Sequence, residues 1–168
     1  NIQFVIGNLS DIDIIESIIA DYNVDIILHL ASSLIPVSSE EDFRIELENI
    51  IYPSFELIQL ISIFQKKLIY FSSGGTVYKN THKRITESSP LEATSYYGKS
   101  KLMVENEILS IAQQAIPLDF VILRPSNVYG RTRNINSRQG FIENSILQIL
   151  KGEPIVIWGD GKQMRDYV

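Results

Sequence analysis

Residues 67–78 read Lys67-Leu68-Ile69-Tyr70-Phe71-Ser72-Ser73-Gly74-Gly75-Thr76-Val77-Tyr78. An apolar run gives way abruptly to small and polar residues, the pattern of a buried strand that empties into a turn. Strands that are apolar throughout need cover on both faces, and parallel sheets obtain it from their crossover helices. The flanking sequence offers such helices. Upstream, Ser38 to about Lys66 carries a helical pattern with a break expected near Pro53. Downstream, a charged, turn-rich loop from Lys79 to Thr94 leads into a helix that continues to about Ala115.

The same alternation extends outward in both directions. Asp25-Ile26-Ile27-Leu28-His29-Leu30-Ala31 reads as a second strand and Pro117 to Leu123 as a third. Ile2 to Ile6, closed by Gly7-Asn8, is expected to be a further strand, and so is Pro154 to Trp158. Between the first two, Ile12, Ile15, Ile18 and Ile19 repeat at helical spacing behind the capping candidates Ser10 and Asp11. Another helix is expected from about Gly140 to Lys151, after a basic loop. Strands alternating with helices predict an α/β fold, a doubly wound parallel sheet whose ligands sit at the carboxyl ends of the strands. Four post-strand loops hold the polar clusters: Gly7-Asn8-Leu9, Ala31-Ser32-Ser33, Ser72 to Thr76, and Arg124 to Gly130.

Composition removes several function classes. The 168 residues are 45% apolar and 21% charged, with 28 isoleucines, ordinary for one globular domain. A net charge of −5 with scattered basic residues argues against nucleic acid as a partner. Without cysteine there is no disulfide, thiol nucleophile or thiolate metal site. His29 and His82 are far apart, so no metal is expected, and His29 reads as a satisfied core histidine. No apolar run approaches the roughly 18 residues of a membrane span, and a cytoplasmic protein is expected.

Ser95-Tyr96-Tyr97-Gly98-Lys99-Ser100-Lys101 carries the chemistry. Tyr97 and Lys101 are one helical turn apart, with Cβ atoms roughly 5–6 Å from each other on one face. A tyrosine hydroxyl has a pKa of about 10 and is a weak base near neutrality. A neighbouring ammonium favours the phenolate, so Lys101 is expected to draw that value down. Such a pair can take a proton from an alcohol while a hydride leaves the same carbon. The plain alternative is a surface tyrosine followed by an unrelated lysine. The polar loops gathered at the strand ends favour the first reading.

In their order, these motifs resemble the extended short-chain dehydrogenase/reductases, in the nucleotide-sugar epimerase/dehydratase branch that includes UDP-glucose 4-epimerases. The similar elements are Gly7 to Asp11, Val24-Asp25 with His29-Leu30-Ala31, Asn49, Phe71 to Tyr78, Tyr97 to Lys101, Leu123 to Gly130, and Gly159-Asp160-Gly161 with Arg165-Asp166-Tyr167. Together they cover essentially the whole chain. The resemblance implies a Rossmann-like domain that binds NAD (or NADP), a nucleotide-sugar substrate and a homodimer. It makes Tyr97 the acid/base and gives Lys101 the nicotinamide ribose. Asn8, Leu9, Leu30, Ala31, Ser32, Asn49, Ser72 and Pro125 would meet the cofactor. Gly74, Thr76, Asn127 and Arg165 would meet the substrate, the last two at its diphosphate. Asn49 has an equally good structural reading as an amide that satisfies a helix kink.

Two departures accompany the resemblance. The family usually has Ser or Thr at the position of Gly74, so Thr76, or next Ser73, is expected to supply that hydroxyl. The acidic pair that dehydratases carry after a Thr in this loop is lacking, which favours epimerisation or ketone reduction. The family's first strand, its glycine-rich pyrophosphate loop and the C-terminal sugar pocket are not among these residues. The chain is therefore expected to be one partial domain of a longer protein, with its substrate region beginning at about residues 131–168. In the doubly wound order, Ile2 to Ile6 would be strand 3 and Asp25 to Leu30 strand 4, leaving an unpaired apolar edge along Ile26 to Leu30. A non-catalytic dinucleotide-binding or interaction module is the alternative of another class.

Overall fold

The computed structural model describes residues 2–81, 83–130, 140–157 and 159–168. The chain divides into two compact units, residues 1–124 and 125–168. In the first unit the order is α1 (Ile12–Asp21), β1 (Ile26–His29), α2 (Glu40–Glu46), a π turn (Leu47–Ile51), α3 (Tyr52–Ile63), β2 (Lys67–Phe71), α4 (Tyr96–Ala112) and β3 (Asp119–Leu123). The strands form one parallel sheet in the order β1-β2-β3. Ile26 faces Lys67, which in turn faces Asp119.

The middle strand supplies the centre of the core. Leu68 and Tyr70, on one face of β2, are buried among Ile51, Leu57, Ile58 and Ile61 on one side and Val104, Ile108 and Ile111 of α4 on the other. The local chemistry explains where each helix begins. Ser39 caps α2 through a reciprocal pair: its hydroxyl accepts from Asp42 N–H at 3.2 Å, and the Asp42 carboxylate accepts from Ser39 N–H at 2.8 Å. Ser95 caps α4 by accepting from Gly98 N–H at 3.1 Å. The break expected near Pro53 takes the form of the π turn. Pro53 has no N–H to offer an α-type partner, and Tyr52 N–H instead reaches back to the Leu47 carbonyl.

Two expected strands are absent. Ile2 to Ile6 takes no strand conformation paired with another strand among the described residues, and Phe4 and Ile6 stand 88% and 98% exposed. An apolar run becomes a strand only where a neighbouring backbone accepts its hydrogen bonds, and β1 leaves its outer edge open. That edge is apolar as expected, with Ile26, Leu28 and Leu30 all exposed. Pro154 to Ile157 also forms no strand, and Trp158, His82 and residues 131–139 of the basic loop lie outside the described residues.

In the second unit, α5 (Phe141–Lys151) ends on Gly152 at φ 71°, a left-handed position that glycine adopts without strain. The backbone at Asn127 and Tyr129 runs parallel to the C-terminal residues: Asn127 N–H donates to the Asp166 carbonyl and Val168 N–H to the Asn127 carbonyl, both at 3.1 Å. No helix among the described residues is long and apolar enough to cross a membrane.

Candidate active site

The carboxyl end of β2 and the first turns of α4 meet closely, and Gly98 makes the approach possible. A Cβ there would stand 2.5 Å from the Thr76 carbonyl oxygen and 2.9 Å from Ala93 Cβ. Any larger residue would push α4 off the loop that follows β2. This docking sets Tyr97, half-buried, beside Ser73. Burial pushes the Tyr97 phenol above its ordinary value, the Ser73 side chain pulls it back, and the Glu46 charge adds to the rise.

Lys101 lies one turn on and is only 5% exposed. Its ammonium sits over two ring faces, 5.5 Å from the Tyr97 centroid and 5.4 Å from that of Tyr70. Among the described residues no hydrogen bond or ion pair reaches it. Burial draws its pKa down while the Glu46 charge holds it up. The expected depression of the Tyr97 pKa by Lys101 is not found. From over the ring the cation meets the π face, and desolvation of the phenol decides the direction.

The other residues of the sequence reading fall in several places. Ser72, at the end of β2, donates its N–H to the Leu123 carbonyl at 2.8 Å, yet its hydroxyl is buried without a partner. The Thr76 hydroxyl is likewise buried and unpartnered, and Gly74 lies in the turn between them. Ser32 donates its hydroxyl to Glu46 at 3.0 Å, while Leu30 and Ala31 beside it are exposed. Asn49 donates its side-chain amide to the Ile45 carbonyl at 2.9 Å, the kink-satisfying geometry at the π turn. Asn8 forms the turn before α1, its N–H held by the Asp11 carboxylate at 2.8 Å, and Leu9 packs against the core. Pro125, Asn127 and Arg165 belong to the second unit, where the Asn127 amide donates to the Asp166 carbonyl at 2.9 Å and Arg165 is exposed.

His29 is the core histidine that the sequence suggested. Its Nε2 meets Ser54 Oγ at 2.8 Å, and the Ser54 hydroxyl donates onward to the Ile50 carbonyl, so Nε2 carries the hydrogen. Burial lowers its pKa to about 4, and the Lys101 charge acts in the same direction. No metal-binding group of three His, Cys, Asp or Glu occurs among the described residues. Between these pKa values the unfolded chain binds a proton that the folded chain refuses, so stability is full above pH 6.5 and is lost as pH falls toward 4. From pH 7 to pH 5 the loss should be about 2 kcal/mol. Urea midpoints at the two pH values measure it, and His29→Gln should flatten the slope. An equal slope in both proteins would mean that His29 is not its source.

Sequence reasoning missed two buried acids. Glu46 occupies the apolar face of its helix, three residues from Phe43 and four from Ile50, and is 2% exposed. Glu105 sits between Val104 and Ile108 on the buried face of α4 and pairs with Arg124. In each case a charge in phase with an apolar stripe was the available signal.

The buried Lys101 ammonium without an acceptor and the buried, unpartnered Ser72 hydroxyl at the end of β2 fit a ligand rich in hydroxyl groups such as a ribose. A parallel sheet covered by helices, with polar loops at its carboxyl end, defines a Rossmann-like domain. The sequence profile of the NAD dependent epimerase/dehydratase family matches residues 1–168, and the chain belongs to that family. It is 31% identical to a dTDP-4-dehydro-6-deoxyglucose reductase of Escherichia coli, over 92% of this chain and 49% of the relative. It is 28% identical to a UDP-glucose 4-epimerase of Lactobacillus helveticus, over 99% of this chain and 54% of the relative. The crystal structure of a UDP-glucose 4-epimerase from Thermotoga maritima with UDP-glucose superposes with a TM-score of 0.89 at 26% identity, covering 100% of this chain and 55% of that one. The chain thus spans about half the length of the relatives it matches.

Proposed function

We propose that the protein uses NAD to epimerise a nucleotide-activated sugar, with Tyr97 as the acid/base. The observation that carries this reading is the Tyr97 phenol, half-buried against Ser73 and one turn from a buried ammonium that has no acceptor. NAD, when bound, supplies a reversible hydride acceptor. Tyr97, acting as the phenolate, takes the proton from the sugar hydroxyl to become the phenol, and gives that proton back after the carbonyl has been presented on its other face. Lys101 holds a ribose hydroxyl of the cofactor and carries the positive charge nearest the Tyr97 ring. Ser73 orients the phenol and meets the reacting hydroxyl. Leu30, Ala31, Ser32, Asn49, Ser72 and Pro125, with Asn8 and Leu9, would line the dinucleotide. Asn127 and Arg165 would meet the diphosphate, where a guanidinium fork suits phosphate geometry. The reading includes a cytoplasmic homodimer, supported by the apolar exposure of Ile63 on α3 and Leu109 on α4.

The test incubates the full-length protein and NAD with UDP-glucose or UDP-N-acetylglucosamine and separates the C4 epimers chromatographically. Epimer formation supports the proposal. One-way consumption of a 4-keto sugar with NADH would move the assignment to a reductase, and NAD binding without turnover of any nucleotide sugar would leave a binding module.

We rank Ser73 ahead of Thr76 as the hydroxyl donor. Ser73 faces Tyr97, whereas Thr76 turns its hydroxyl into a buried site without a partner. Ser73→Ala should lower turnover about 10²-fold, the lower end for losing a group that handles the reacting proton. Thr76→Val should change it by less than about threefold, since it removes an unpaired hydroxyl at nearly constant shape. The reverse ranking in steady-state assays would return the role to Thr76.

A further inference from the structure

Tyr97, Ser73 and Lys101 carry the proposed reaction, and Glu46 has no part in it. Yet Glu46 is a buried carboxylate at the C-terminus of α2, a place that costs free energy unless its oxygens are satisfied. They are satisfied by one loop. Oε1 accepts from the Ser32 hydroxyl at 3.0 Å and from Ser33 N–H at 3.3 Å. Oε2 accepts from Ser33 N–H at 3.0 Å and from the Ser33 hydroxyl at 2.5 Å.

We propose that Glu46 is a positioning residue, whose carboxylate fixes the Ala31–Ser33 loop at the end of β1 in the shape that receives the dinucleotide. The proposal rests on the reading that this loop lines the cofactor groove. Every group the loop presents to Glu46 is a donor, and a carboxylate is the side chain that offers two acceptor oxygens and no donor. Hydrogen bonds to an ionised acceptor are roughly twice as strong as neutral ones. The loop has little else to hold it, because Ala31 and Ser33 are exposed and Leu34 is its buried anchor. No ion pair reaches Glu46 among the described residues. The charged and titratable groups facing it are Lys101 and Tyr97 from α4 and Tyr70 from β2, while His29 from β1 faces Lys101. The carboxylate that shapes the loop therefore also opposes the ammonium assigned to the ribose.

Glu46→Gln keeps the size of the side chain but turns an amide donor toward the Ser33 donors. In the full-length protein it should weaken NAD binding about tenfold or more. Because the Glu46 charge raises the Tyr97 pKa, its loss should also shift the pH profile of turnover downward, while NAD binding reports on the loop. Ser33→Ala should weaken binding similarly, and the double variant should be no worse than Glu46→Gln alone, since both remove one coupled contact. Hydrogen exchange at the Ser33 amide should accelerate in Glu46→Gln. Unchanged NAD affinity and unchanged Ser33 protection in that variant overturn the proposal. If Glu46→Gln fails to fold, Ser33→Ala decides: weakened binding supports the role and wild-type binding overturns it. A wild-type protein that binds no NAD overturns the proposed function itself, and Ser33 exchange then judges the Glu46 contact alone.

Discussion

Tyr97→Phe in the full-length protein should reduce turnover of the nucleotide sugar by about 10²- to 10⁴-fold, the range for a positioned acid/base group. Phenylalanine fills the same half-buried volume between Ser73 and Lys101 and removes one oxygen. The fold should tolerate the change. Removing the half-buried hydroxyl should cost about 1 kcal/mol or less, and relief of its desolvation offsets part of that. NAD affinity should change little, because the ammonium of Lys101 and the Glu46-held loop remain. Initial rates, a thermal melt and an NAD titration on one preparation separate these effects. Turnover within about threefold of wild type, with the melt unchanged, would remove Tyr97 from the chemistry.

Glu105→Ala should cost about 3–5 kcal/mol, the range for leaving one member of a buried ion pair without its partner. Arg124 grips Glu105 with both arms of its fork, Nε to Oε1 at 3.0 Å and one terminal nitrogen to Oε2 at 2.6 Å. The other terminal nitrogen donates to the Tyr78 hydroxyl at 2.9 Å and to the Glu87 carbonyl at 3.5 Å. One guanidinium thus ties α4, the end of β3 and the loop after β2 together, with Glu105 wholly buried beneath it. Set against a typical domain stability of about 5–15 kcal/mol, the loss is large. The double variant Glu105→Leu/Arg124→Leu should be less destabilised than Glu105→Ala, because it leaves no orphaned charge. Urea unfolding of the three proteins measures both. A cost below about 1 kcal/mol for Glu105→Ala would mean that water reaches the guanidinium freely.

The sequence disclosed the fold through what is local. The alternation of apolar runs with helical stripes located three strands and the helices between them, because burial on two faces leaves a pattern in the chain itself. Of the capping candidates Ser10 and Asp11, Asp11 stands at the N-cap of α1, without a side-chain cap bond. Ile2 to Ile6 shows the limit. Its pattern states that it could be buried, but being a strand depends on a neighbour that the pattern cannot name. The site divides in the same way. Tyr97 and Lys101 are one turn apart, so helical geometry alone puts them on one face. Glu46 stands far from Lys101 in sequence, and the long-range folding of α2 against α4 was needed to bring them together. Loop residues a few positions apart point in unrelated directions until the turn between them is known.

The π turn at Leu47–Ile51 has a consequence for helical phase. A residue removed from a regular helix rotates everything beyond it by about 100°, which is why such deletions usually scramble a packed face. A π turn carries one residue more than its α equivalent, so a deletion within residues 47–51 would regularise the helix instead. Regularity would then place Pro53 in the interior of an α-helix, against a carbonyl to which it has no N–H to give. It would also turn α2 about its axis relative to α3 and carry Glu46 off the face it shares with Ser32 and Ser33. The extra residue acts as a phase adjuster: it sets the buried stripe of α3 and the inward acid of α2 at the angles each requires, and Pro53 keeps the helix from relaxing into the simpler winding.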